Sequence, residues 1–492
     1  MKQESFSKSS YGNSFALLTD LYELTMAYGY WKEGIAERNA CFYVFFRKKP
    51  FHGEFAIAAG LKNITDFLKS FKFDKSDIEY LKSLKDAQGR QMFEDAFLLY
   101  LKDLRFSCDV DAVPEGTICF PQEPMFRVIG PILQAQLIES AILNIINFQT
   151  LIATKSSRVC LAAYPDEVIE FGLRRAQGVD GALSASRASF IGGCHATSNT
   201  LAGKIFGIPV AGTHAHSWVM AFEDEEKAFS AFGSVFPYNS VFLIDTYQTS
   251  IGIQKAVRVG LALKDKGASL MGVRLDSGDL TSLSVLARKL LDEAGLIDTK
   301  IMASNELDEY SIADLKSKGA KINLWGVGTN LVTGKEQPAL DGVYKMSAFE
   351  DPNGNWEYKM KISDQIAKSS TPGILQVRRF SSSGKYEMDV IYDQNKHPVF
   401  DRACDFTMTG TEHLVHSHWE YKDLLIPIFN KGRLVYESPD LMEIRNYCKI
   451  ELQNFSPSLR KFFNASTYKV AMDQKLSKFR ADIIKQTKRG GI

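Results

Sequence analysis

The sequence has almost no excess of either charge. Its 492 residues include 59 Lys and Arg and 58 Asp and Glu, which gives a formal net charge of +1 at pH 7. A chain so balanced has no general electrostatic attraction to nucleic acid or to an anionic membrane surface. We therefore expect neither nucleic acid nor a membrane among its partners, and any anionic ligand must be held by local groups.

Long apolar runs and patterned cysteines are also missing. No run reaches the roughly 18 consecutive apolar residues of a membrane span, and the N-terminal residues lack the apolar core of a signal peptide. The seven cysteines are scattered, odd in number and nowhere spaced as Cys-x-x-Cys. This pattern favours neither a disulfide framework nor a zinc site, and we expect a protein of the reducing cytoplasm.

The first third of the chain mixes helical and strand patterns. Residues 19–31 predict a helix that Asp20 caps, with Glu23 at the spacing of a capping box. Residues 40–47 and 54–61 read as strands because they are rich in β-forming side chains. Residues 129–159 are mostly apolar and predict one long, buried helix.

From Val168 onward, short apolar runs alternate with polar turns and helical patterns. The unit of strand, turn and helix repeats about every 20 to 30 residues, which is typical of a parallel sheet or barrel. Helices cover both faces of such a sheet, so its strands are expected to be continuously apolar. The apolar runs are "VIEFGLR", "ASFIGG", "IPVAGT", "SVFLID", "SLMGVRLD", "KIMASN" and "INLWGVGT".

The last third of the chain has a different pattern. A hairpin turn is expected at residues 350–358, and "SSSGKYEMDVIYD" predicts a small antiparallel piece. Helical patterns near 440–453 and 457–486 close the chain.

The turns that follow the central apolar runs carry polar and glycine-rich groups. In a parallel α/β barrel the carboxyl ends of the strands converge on one face, and catalytic groups come from several of them. Five such turns in succession therefore predict one composite site. They are Thr213-His214-Ala215-His216, Asp245-Thr246, Arg274 to Asp279, Ser304-Asn305-Glu306 and Gly326-Val327-Gly328-Thr329.

Each of these groups also has a purely structural interpretation. The aspartates could cap helices, and the Gly-x-Gly of "GVGT" could form a tight turn instead of cradling a phosphate. Arg274 is more informative, because a charge inside an apolar run must meet an anion or lose its hydration at a cost. Of the two neighbouring histidines, either could satisfy local backbone groups, or one could be a nucleophile.

Two further clusters have weaker chemical interpretations. His413, His416 and His418 could suggest a metal site, but no single secondary structure aligns all three. Cys194 could be a nucleophile, but it could equally be a buried cysteine that acts only as a small apolar side chain of the core.

Taken together, the strand-end motifs resemble those of the nicotinate phosphoribosyltransferase family. The matching stretches include "TDLYELTMAYGYW", "FGLRRAQG", "SNTLAGKIFGIPVAGTHAHSW", "LIDTY", "GVRLDSGDL", "SNELDE" and "GVGTNLVT". They run in the family's order from residue 19 to residue 346, and later pieces such as "DLLIPIFNKGRLVY" also look like the family. "VRLDSGDL" with a "T-x-AHS" turn upstream is hard to obtain by chance.

The resemblance implies a fold and a reaction. Nicotinate attacks C1 of 5-phosphoribosyl 1-pyrophosphate to give nicotinate mononucleotide and pyrophosphate in NAD salvage, with Mg²⁺ and with ATP hydrolysis through a phosphorylated histidine. The implied fold is an irregular parallel, TIM-like α/β barrel with a second α/β domain built from the N-terminal part and C-terminal segments, in a homodimer with active sites at the interface. We expect an N-terminal α/β domain at 1–140, the barrel at 141–345, and C-terminal segments at 346–492 that pack on the N-terminal domain and the barrel.

The resemblance also implies roles for individual residues. His216 aligns with the phosphorylated histidine, and Arg274 and Asp276 join it as catalytic residues. Arg174 and Arg274 would lie near the nicotinate carboxylate and the phosphates, with Tyr22 and Phe171 around the ring.

The remaining implied positions serve the sugar, its phosphates and the metal ion. Asp276 and Asp279 would orient ribose hydroxyls or bind Mg²⁺, and Asp245 is a candidate to orient His216. The 5′-phosphate would be held by backbone groups of Asn305, Gly326, Gly328 and Thr329. Thr213 and Ser277 complete the expected substrate-binding set.

Three alternatives stay open at this point. The substrate could be nicotinamide, since arginines near the base favour a carboxylate but could also serve a phosphate. The chain could be a catalytically silent, nucleotide-binding homologue. It could be an unrelated barrel aldolase or oxidoreductase, although no Gly-x-Gly-x-x-Gly fingerprint and no obvious strand lysine is present. His195 departs from the small or acidic residue expected at its position, and it could alter base specificity.

Overall fold

The computed structural model describes residues 14–363, 369–406, 411–462 and 464–489. In chain order its strands are β1 (Asn39–Phe45), β2 (Ala56–Ile57), β3 (Asp109–Ala112), β4 (Ile118–Cys119), β5 (Phe126–Pro131), β6 (Glu167–Glu170), β7 (Ala196–Thr197), β8 (Ser240–Leu243), β9 (Leu270–Leu275), β10 (Lys300–Ala303), β11 (Leu324–Val327), β12 (Val343–Glu350), β13 (Trp356–Tyr358), β14 (Leu375–Ser382), β15 (Lys385–Asp393), β16 (Arg402–Cys404), β17 (Glu412–Leu414), β18 (Glu420–Asp423), β19 (Ile426–Asn430), β20 (Arg433–Leu434) and β21 (Lys469–Asp473).

The α-helices, again in chain order, are α1 (Leu21–Lys32), α2 (Leu61–Ser70), α3 (Lys75–Ser83), α4 (Asp95–Asp103), α5 (Ile132–Leu137), α6 (Glu139–Ala163), α7 (Val179–Ile191), α8 (Thr200–Phe206), α9 (His216–Met220), α10 (Glu225–Val235), α11 (Thr249–Asp265), α12 (Leu280–Glu293), α13 (Glu309–Ser317), α14 (Thr329–Val332), α15 (Leu441–Asn454) and α16 (Gln474–Arg489). Short 3₁₀ turns lie at Pro50–His52, Leu173–Arg175, Gln394–Lys396 and Pro457–Arg460.

The chain divides into two compact units. One consists of Met1–Leu151 together with Ala339–Ile492, and the other is the continuous segment Ile152–Pro338. The domain limits expected from the sequence remain a prediction.

The continuous unit is built on a six-stranded parallel sheet in the order β7-β6-β11-β10-β9-β8. Its strands are largely buried, as the apolar runs predicted, and helices connect successive strands. This is the strand framework of the expected irregular α/β barrel. Because the strands are parallel, all of their carboxyl ends lie at one edge of the sheet, where the polar turns follow.

The other unit combines strands from both ends of the chain. Its seven-stranded sheet runs β13-β12-β1-β5-β3-β19-β20, and its six-stranded sheet runs β17-β16-β21-β15-β14-β18. Buried aromatic side chains, among them Phe45, Phe97 and Phe126, fill its main core. This is the second α/β domain built from the N-terminal part and the C-terminal segments.

Two of the predicted long helices are interrupted. The segment 129–159 contains the end of β5, then α5, then α6. Pro131 is extended, with ψ 127°, and pairs with Asn39 of β1, so the strand continues to that point. The segment 457–486 contains β21 before α16, because Lys469–Asp473 pairs in parallel with β15. Both segments are extended because they pair with strands that are distant in the sequence. The hydrophobic periodicity of the segments themselves gives no signal of that pairing.

Some of the predicted strands are also wrong or shortened. "ASFIGG" is the end of helix α7 rather than a strand, "IPVAGT" forms only an isolated bridge from Val210 to Thr197, and within 54–61 only Ala56–Ile57 is a strand. Short apolar runs fit a buried helix and a buried strand equally well.

The expected capping box at the first helix does not form. Asp20 is at the N-cap position, but its side chain makes no capping hydrogen bond. Its carboxylate accepts instead from Ser140 Oγ at 2.5 Å, and Glu23 accepts from Thr19 and from the Ser140 backbone N–H. The hairpins predicted near 350–358 and in "SSSGKYEMDVIYD" are present as β12–β13 and β14–β15.

Candidate active site

Arg274 is the centre of a polar cluster at the carboxyl edge of the parallel sheet. Its Nε donates to Ser304 Oγ at 2.7 Å, Nη1 donates to Thr213 Oγ1 at 3.1 Å, and Nη2 donates to Asp276 Oδ1 at 2.7 Å. The four residues come from the ends of β9 and β10 and from the loop before α9. Asp276 therefore supplies the anion that we expected beside the guanidinium of Arg274.

The position of Arg274 follows from strand alternation. Its neighbours Val273 and Leu275 are fully buried, whereas the Arg274 side chain keeps 12% of its surface exposed. Alternate side chains of a strand point to opposite faces, so Arg274 faces away from the packed helices. Its guanidinium carbon lies 5.6 Å from the centre of the Phe171 ring, on the turn after β6.

Asp276 is held as a carboxylate by its neighbours. Partial burial acts to raise the pKa of Asp276, but a hydrogen bond from Ser304 and the charge of Arg274 together outweigh it, so the pKa lies below its ordinary value. The other carboxylate oxygen, Oδ2, faces His216. A fixed anion beside an arginine and a histidine is suited to bind a cationic transition state or a metal ion.

Asp245 ties the loop after β8 to the loop after β9. Its Oδ2 accepts from the backbone N–H of Asp276 at 2.8 Å and from Ser277 Oγ at 2.6 Å. The residue is 8% exposed, and within the described part of the chain its buried Oδ1 has no hydrogen-bond partner. A buried carboxylate oxygen without a partner is costly and indicates a ligand, water or ion.

His216 begins helix α9, and its side chain is 42% exposed. Its Nδ1 lies 3.1 Å from Thr246 Oγ1, and its Nε2 lies 3.9 Å from Asp276 Oδ2. The group within hydrogen-bond distance of the ring is therefore Thr246, which the sequence reasoning did not single out. The only available signal was its place directly after Asp245 at a strand end.

His214 has the opposite environment. Leu243 N–H donates to its Nε2 at 3.2 Å, and Nδ1 lies 3.3 Å from the carbonyl oxygen of Ala215. Burial lowers the pKa of His214 to about 4, and Phe232 packs edge-on against the ring. His214 is a neutral histidine that joins its loop to β8, which is the structural alternative of the sequence analysis.

Phe171 is packed against glycine backbone. Its N–H donates to Val327 O at 2.8 Å. A Cβ at Gly326 would lie 2.9 Å from the Phe171 ring, and one at Gly328 would lie 3.2 Å from the Phe171 carbonyl oxygen. The glycines of "GVGT" therefore allow the segment that carries Phe171 to approach β11 closely.

The loops after β9 and β10 and the adjoining helix α13 border a cavity of about 620 Å³, whose lining includes Asp314 and Lys318 but neither Arg274 nor Asp276. Asn305 lies on its wall with φ +112°, a conformation that residues with a side chain rarely adopt. Asp279 also lines it, but its two oxygens accept from Thr281 N–H and Ser282 Oγ, so Asp279 caps α12. Thr329 begins the short helix after β11.

The other residues expected from the sequence differ in exposure and surroundings. Arg174 is exposed on the turn Leu173–Arg175, and Tyr22 is on α1 of the other unit, 47% exposed. His195 lies at the start of β7, where the Val168 N–H donates to its ring, and this is the edge of the sheet opposite the polar turns. Cys194 is buried, and the neighbouring Cys160 together with burial raises the pKa of its thiol.

The C-terminal histidines give no further support for a metal site. The His416 and His418 rings are 5.4 Å apart, and His413 lies on β17. Among the residues that the structure describes, no group of three or more His, Cys, Asp or Glu side chains is arranged to hold a metal ion. Over the same residues, no helix combines the length and the apolar character that crossing a membrane requires.

Comparisons with known proteins agree with this architecture. The profile of the nicotinate phosphoribosyltransferase N-terminal domain matches residues 17–147, that of the nicotinate phosphoribosyltransferase (NAPRTase) family matches residues 167–387, and that of the C-terminal domain matches residues 376–480. The profiles together extend over most of the chain.

Individual relatives match over nearly their whole length. The nicotinate phosphoribosyltransferase of Bacillus subtilis (strain 168) is 40% identical over 476 residues, covering 94% of both chains. The Homo sapiens nicotinate phosphoribosyltransferase is 33% identical over 520 residues, covering 94% of this chain and 95% of its own. The crystal structure of human nicotinic acid phosphoribosyltransferase superposes with a TM-score of 0.79 at 30% identity, covering 95% of this chain and 99% of that one.

These matches confirm the resemblance, the α/β fold class and the predicted class of enzyme. They also exclude the unrelated aldolase and oxidoreductase alternatives. The chain belongs to the nicotinate phosphoribosyltransferase family.

Proposed function

We propose that this chain transfers the 5-phosphoribosyl group of 5-phosphoribosyl 1-pyrophosphate to nicotinate, as a step of NAD salvage. The ring nitrogen of nicotinate forms the bond to C1, and the bond from C1 to the pyrophosphate oxygen breaks with its electron pair on pyrophosphate. The observation that carries the proposal is the cluster of Arg274, Asp276 and His216 at the carboxyl edge of the sheet, in a chain of this family.

Nicotinate is recognised by its charge and its ring. An arginine has five N–H donors in a planar fork, and the three contacts of Arg274 leave donors for a carboxylate. Phe171 offers an apolar face beside that guanidinium. Arg174 and Tyr22 are proposed to complete the base and phosphate contacts. A neutral amide would gain less from a cation, so this arrangement favours nicotinate over nicotinamide.

The sugar phosphate is bound along the loops after β9, β10 and β11. Backbone groups of Asn305, Gly328 and Thr329 are proposed to contact the 5′-phosphate, with Thr213 and Ser277 nearby. Gly326 lies inside a strand, so its contribution is the close packing of Phe171.

Oxocarbenium-like charge at C1 is stabilised by Asp276. Arg274 and Ser304 donate to the carboxylate before the reaction begins, and the backbone N–H of Asp276 is held by Asp245. A fixed anion acts more strongly on the charge that develops in the transition state than on the neutral sugar.

Two carboxylates of this edge are proposed to bind a magnesium ion. Asp276 Oδ2 and the unpartnered Asp245 Oδ1 are hard oxygen donors, and Mg²⁺ usually takes one or two carboxylates together with substrate phosphates. Asp279 was expected as a second ligand, and its capping bonds make it the weaker candidate beside Asp245. When bound, Mg²⁺ would neutralise charge on the pyrophosphate leaving group.

ATP is proposed to act through His216. The ring is accessible, and one nitrogen is held by Thr246, so the other can act as a nucleophile. Phosphorylated His216 would couple ATP hydrolysis to formation of the nucleotide.

The assembly is proposed to be a cytoplasmic homodimer with the active site at the subunit interface. Leu21, Tyr22 and Met26 of α1 are exposed by 51%, 47% and 37%, and a partner subunit would cover such apolar side chains. All seven cysteines are free and six of them are buried, which fits a reducing compartment.

The base assignment is tested by pyrophosphate release with Mg²⁺ and the sugar pyrophosphate. Nicotinate, nicotinamide and quinolinate are offered separately, each with and without ATP. We expect release with nicotinate, enhanced by ATP, and a fall of about 100-fold in kcat/KM for nicotinate in Arg274→Gln, because a charge-assisted contact is lost.

The other outcomes count against specific parts of the proposal. Release with nicotinamide in place of nicotinate would overturn the role given to the arginines. No release with any base would favour a catalytically silent homologue.

A further inference from the structure

The contact between Thr246 and His216 has no place in the roles that the resemblance implies. Thr246 Oγ1 lies 3.1 Å from His216 Nδ1, and Thr246 is half-buried three residues after the end of β8. The hydroxyl is thus within hydrogen-bond distance of the one ring nitrogen that does not face Asp276.

The neighbouring carboxylate is engaged elsewhere. Asp245 was the expected partner of His216, but its Oδ2 accepts from Asp276 N–H and from Ser277 Oγ. These contacts direct Asp245 toward the loop after β9. The structure therefore separates two tasks between adjacent residues, since Asp245 fixes the loop and Thr246 contacts the histidine.

The two ring nitrogens have different surroundings. Asp276 Oδ2 is 3.9 Å from Nε2, which is too far for a hydrogen bond, whereas Thr246 Oγ1 is within hydrogen-bond distance of Nδ1. A proton on Nε2 would remove the lone pair needed for attack. An acceptor at Nδ1 has the opposite effect, because it holds the proton on Nδ1 and leaves Nε2 free.

We propose that Thr246 is a positioning residue that accepts the Nδ1–H of His216 and so makes Nε2 the phosphorylated atom. This inference rests on the proposed function, in which His216 is phosphorylated by ATP. In the step, the Nε2 lone pair forms a bond to the γ-phosphorus, and the bond to the β-phosphate oxygen breaks with its electron pair on ADP. The proton stays on Nδ1, and Thr246 Oγ1 accepts the hydrogen bond from the cationic ring.

Two substitutions isolate the hydroxyl. Thr246→Val keeps the shape of the side chain and removes the acceptor, whereas Thr246→Ser keeps the hydroxyl and removes a methyl group. Nitrogen NMR of histidine-labelled protein, assigned with His216→Ala, reports which ring nitrogen of His216 carries the proton. Melting temperatures of the variants show that they are folded.

In the resting protein we expect the Nδ1–H tautomer for wild type and for Thr246→Ser, and a shift toward Nε2–H in Thr246→Val. This readout needs no ATP, so it tests the contact separately from the proposed function. A wild-type ring protonated at Nε2, or an unchanged tautomer in Thr246→Val, would overturn the inference.

Phosphorylation is then followed as acid-labile phosphate after mixing with ATP labelled at the γ-phosphate. Loss of one charge-assisted hydrogen bond should slow the step about tenfold in Thr246→Val, while Thr246→Ser should stay within about twofold of wild type. Equal rates in all three proteins, or equal impairment of both variants, would overturn the inference. If wild type forms no acid-labile phosphate, the ATP step of the proposed function fails, and the inference fails with it.

Discussion

At the scale of single residues, two histidines that are two positions apart serve different purposes. His214 is 7% exposed and contacts backbone on both ring nitrogens, whereas the side chain of His216 is 42% exposed and faces Asp276. The difference arises because helix α9 begins at His216, which turns the chain between the two rings. Spacing along an extended strand would have placed them on the same side.

The buried His214 makes stability depend on pH. Burial lowers its pKa to about 4, so between that value and its ordinary pKa the unfolded chain binds more protons than the folded chain. Stability is therefore fully present at pH 7 and falls as the pH drops, by about 2 kcal/mol from this group between pH 7 and pH 5.

Urea unfolding of wild type and of His214→Gln at the two pH values checks this. The variant should lose less stability than wild type on acidification, because it has no titrating ring. The same loss in both proteins would contradict the account of His214.

Some residue roles could be predicted from the sequence and others could not. Arg274 stood out because a charge inside an apolar run requires an anion, and Asp276 supplies it. Thr246 did not stand out, since a threonine after a strand is ordinary and its contact with His216 depends on how two distant loops fold. The predicted capping box at Asp20 was wrong for the same reason, because Ser140 of another helix donates a hydrogen bond to the Asp20 carboxylate.

At the scale of elements, the loops after β10 and β11 are joined by buried polar contacts. Asn330, 3% exposed, donates from Nδ2 to the carbonyl oxygens of Glu306 and Leu307 at 3.1 and 3.0 Å. The fully buried Lys155 pairs with Glu309 at 2.6 Å and with Glu336 at 2.5 Å. These contacts hold the loops that we propose for the 5′-phosphate.

Removal of Lys155 should therefore be costly. In Lys155→Met the buried carboxylate of Glu309 loses one cationic partner and keeps Arg158 at 2.8 Å, so we expect the free energy of unfolding to fall by about 1.5–3 kcal/mol. Urea denaturation measures the change. Lys62→Met is the matched control, because Lys62 pairs with Asp66 at 2.6 Å on the surface, and its loss should cost less than about 1 kcal/mol. Equal effects of the two substitutions would contradict the role given to Lys155.

Helices and strands could be predicted where the hydrophobic pattern of the segment agrees with its place in the tertiary structure. The strands of the parallel sheet are largely buried because helices cover them, with charged exceptions such as Arg274 and Lys300, and polar turns in the sequence marked their ends. β5 and β21 were missed because pairing with β1 and with β15 keeps those segments extended, and such pairing leaves no local signal.

At the scale of the whole molecule, the segments before and after the barrel form one unit. In its seven-stranded sheet, β19 from near the C-terminus pairs with β3 from the N-terminal part. The sequence gives no local signal for a pairing over such a separation. The resemblance to the family predicted only that C-terminal segments join the N-terminal part in one domain.

The central claim is that ATP drives nucleotide formation through His216. The direct measurement is the ratio of nicotinate mononucleotide to nicotinate at steady state, with and without ATP, for wild type and for His216→Ala. A ratio does not depend on how fast each protein turns over. Without ATP both proteins should reach the same equilibrium ratio, and with ATP only wild type should exceed it, by about tenfold or more, which requires at least about 1.4 kcal/mol of coupled free energy. A His216→Ala enzyme that exceeds the equilibrium ratio as far as wild type would contradict the account.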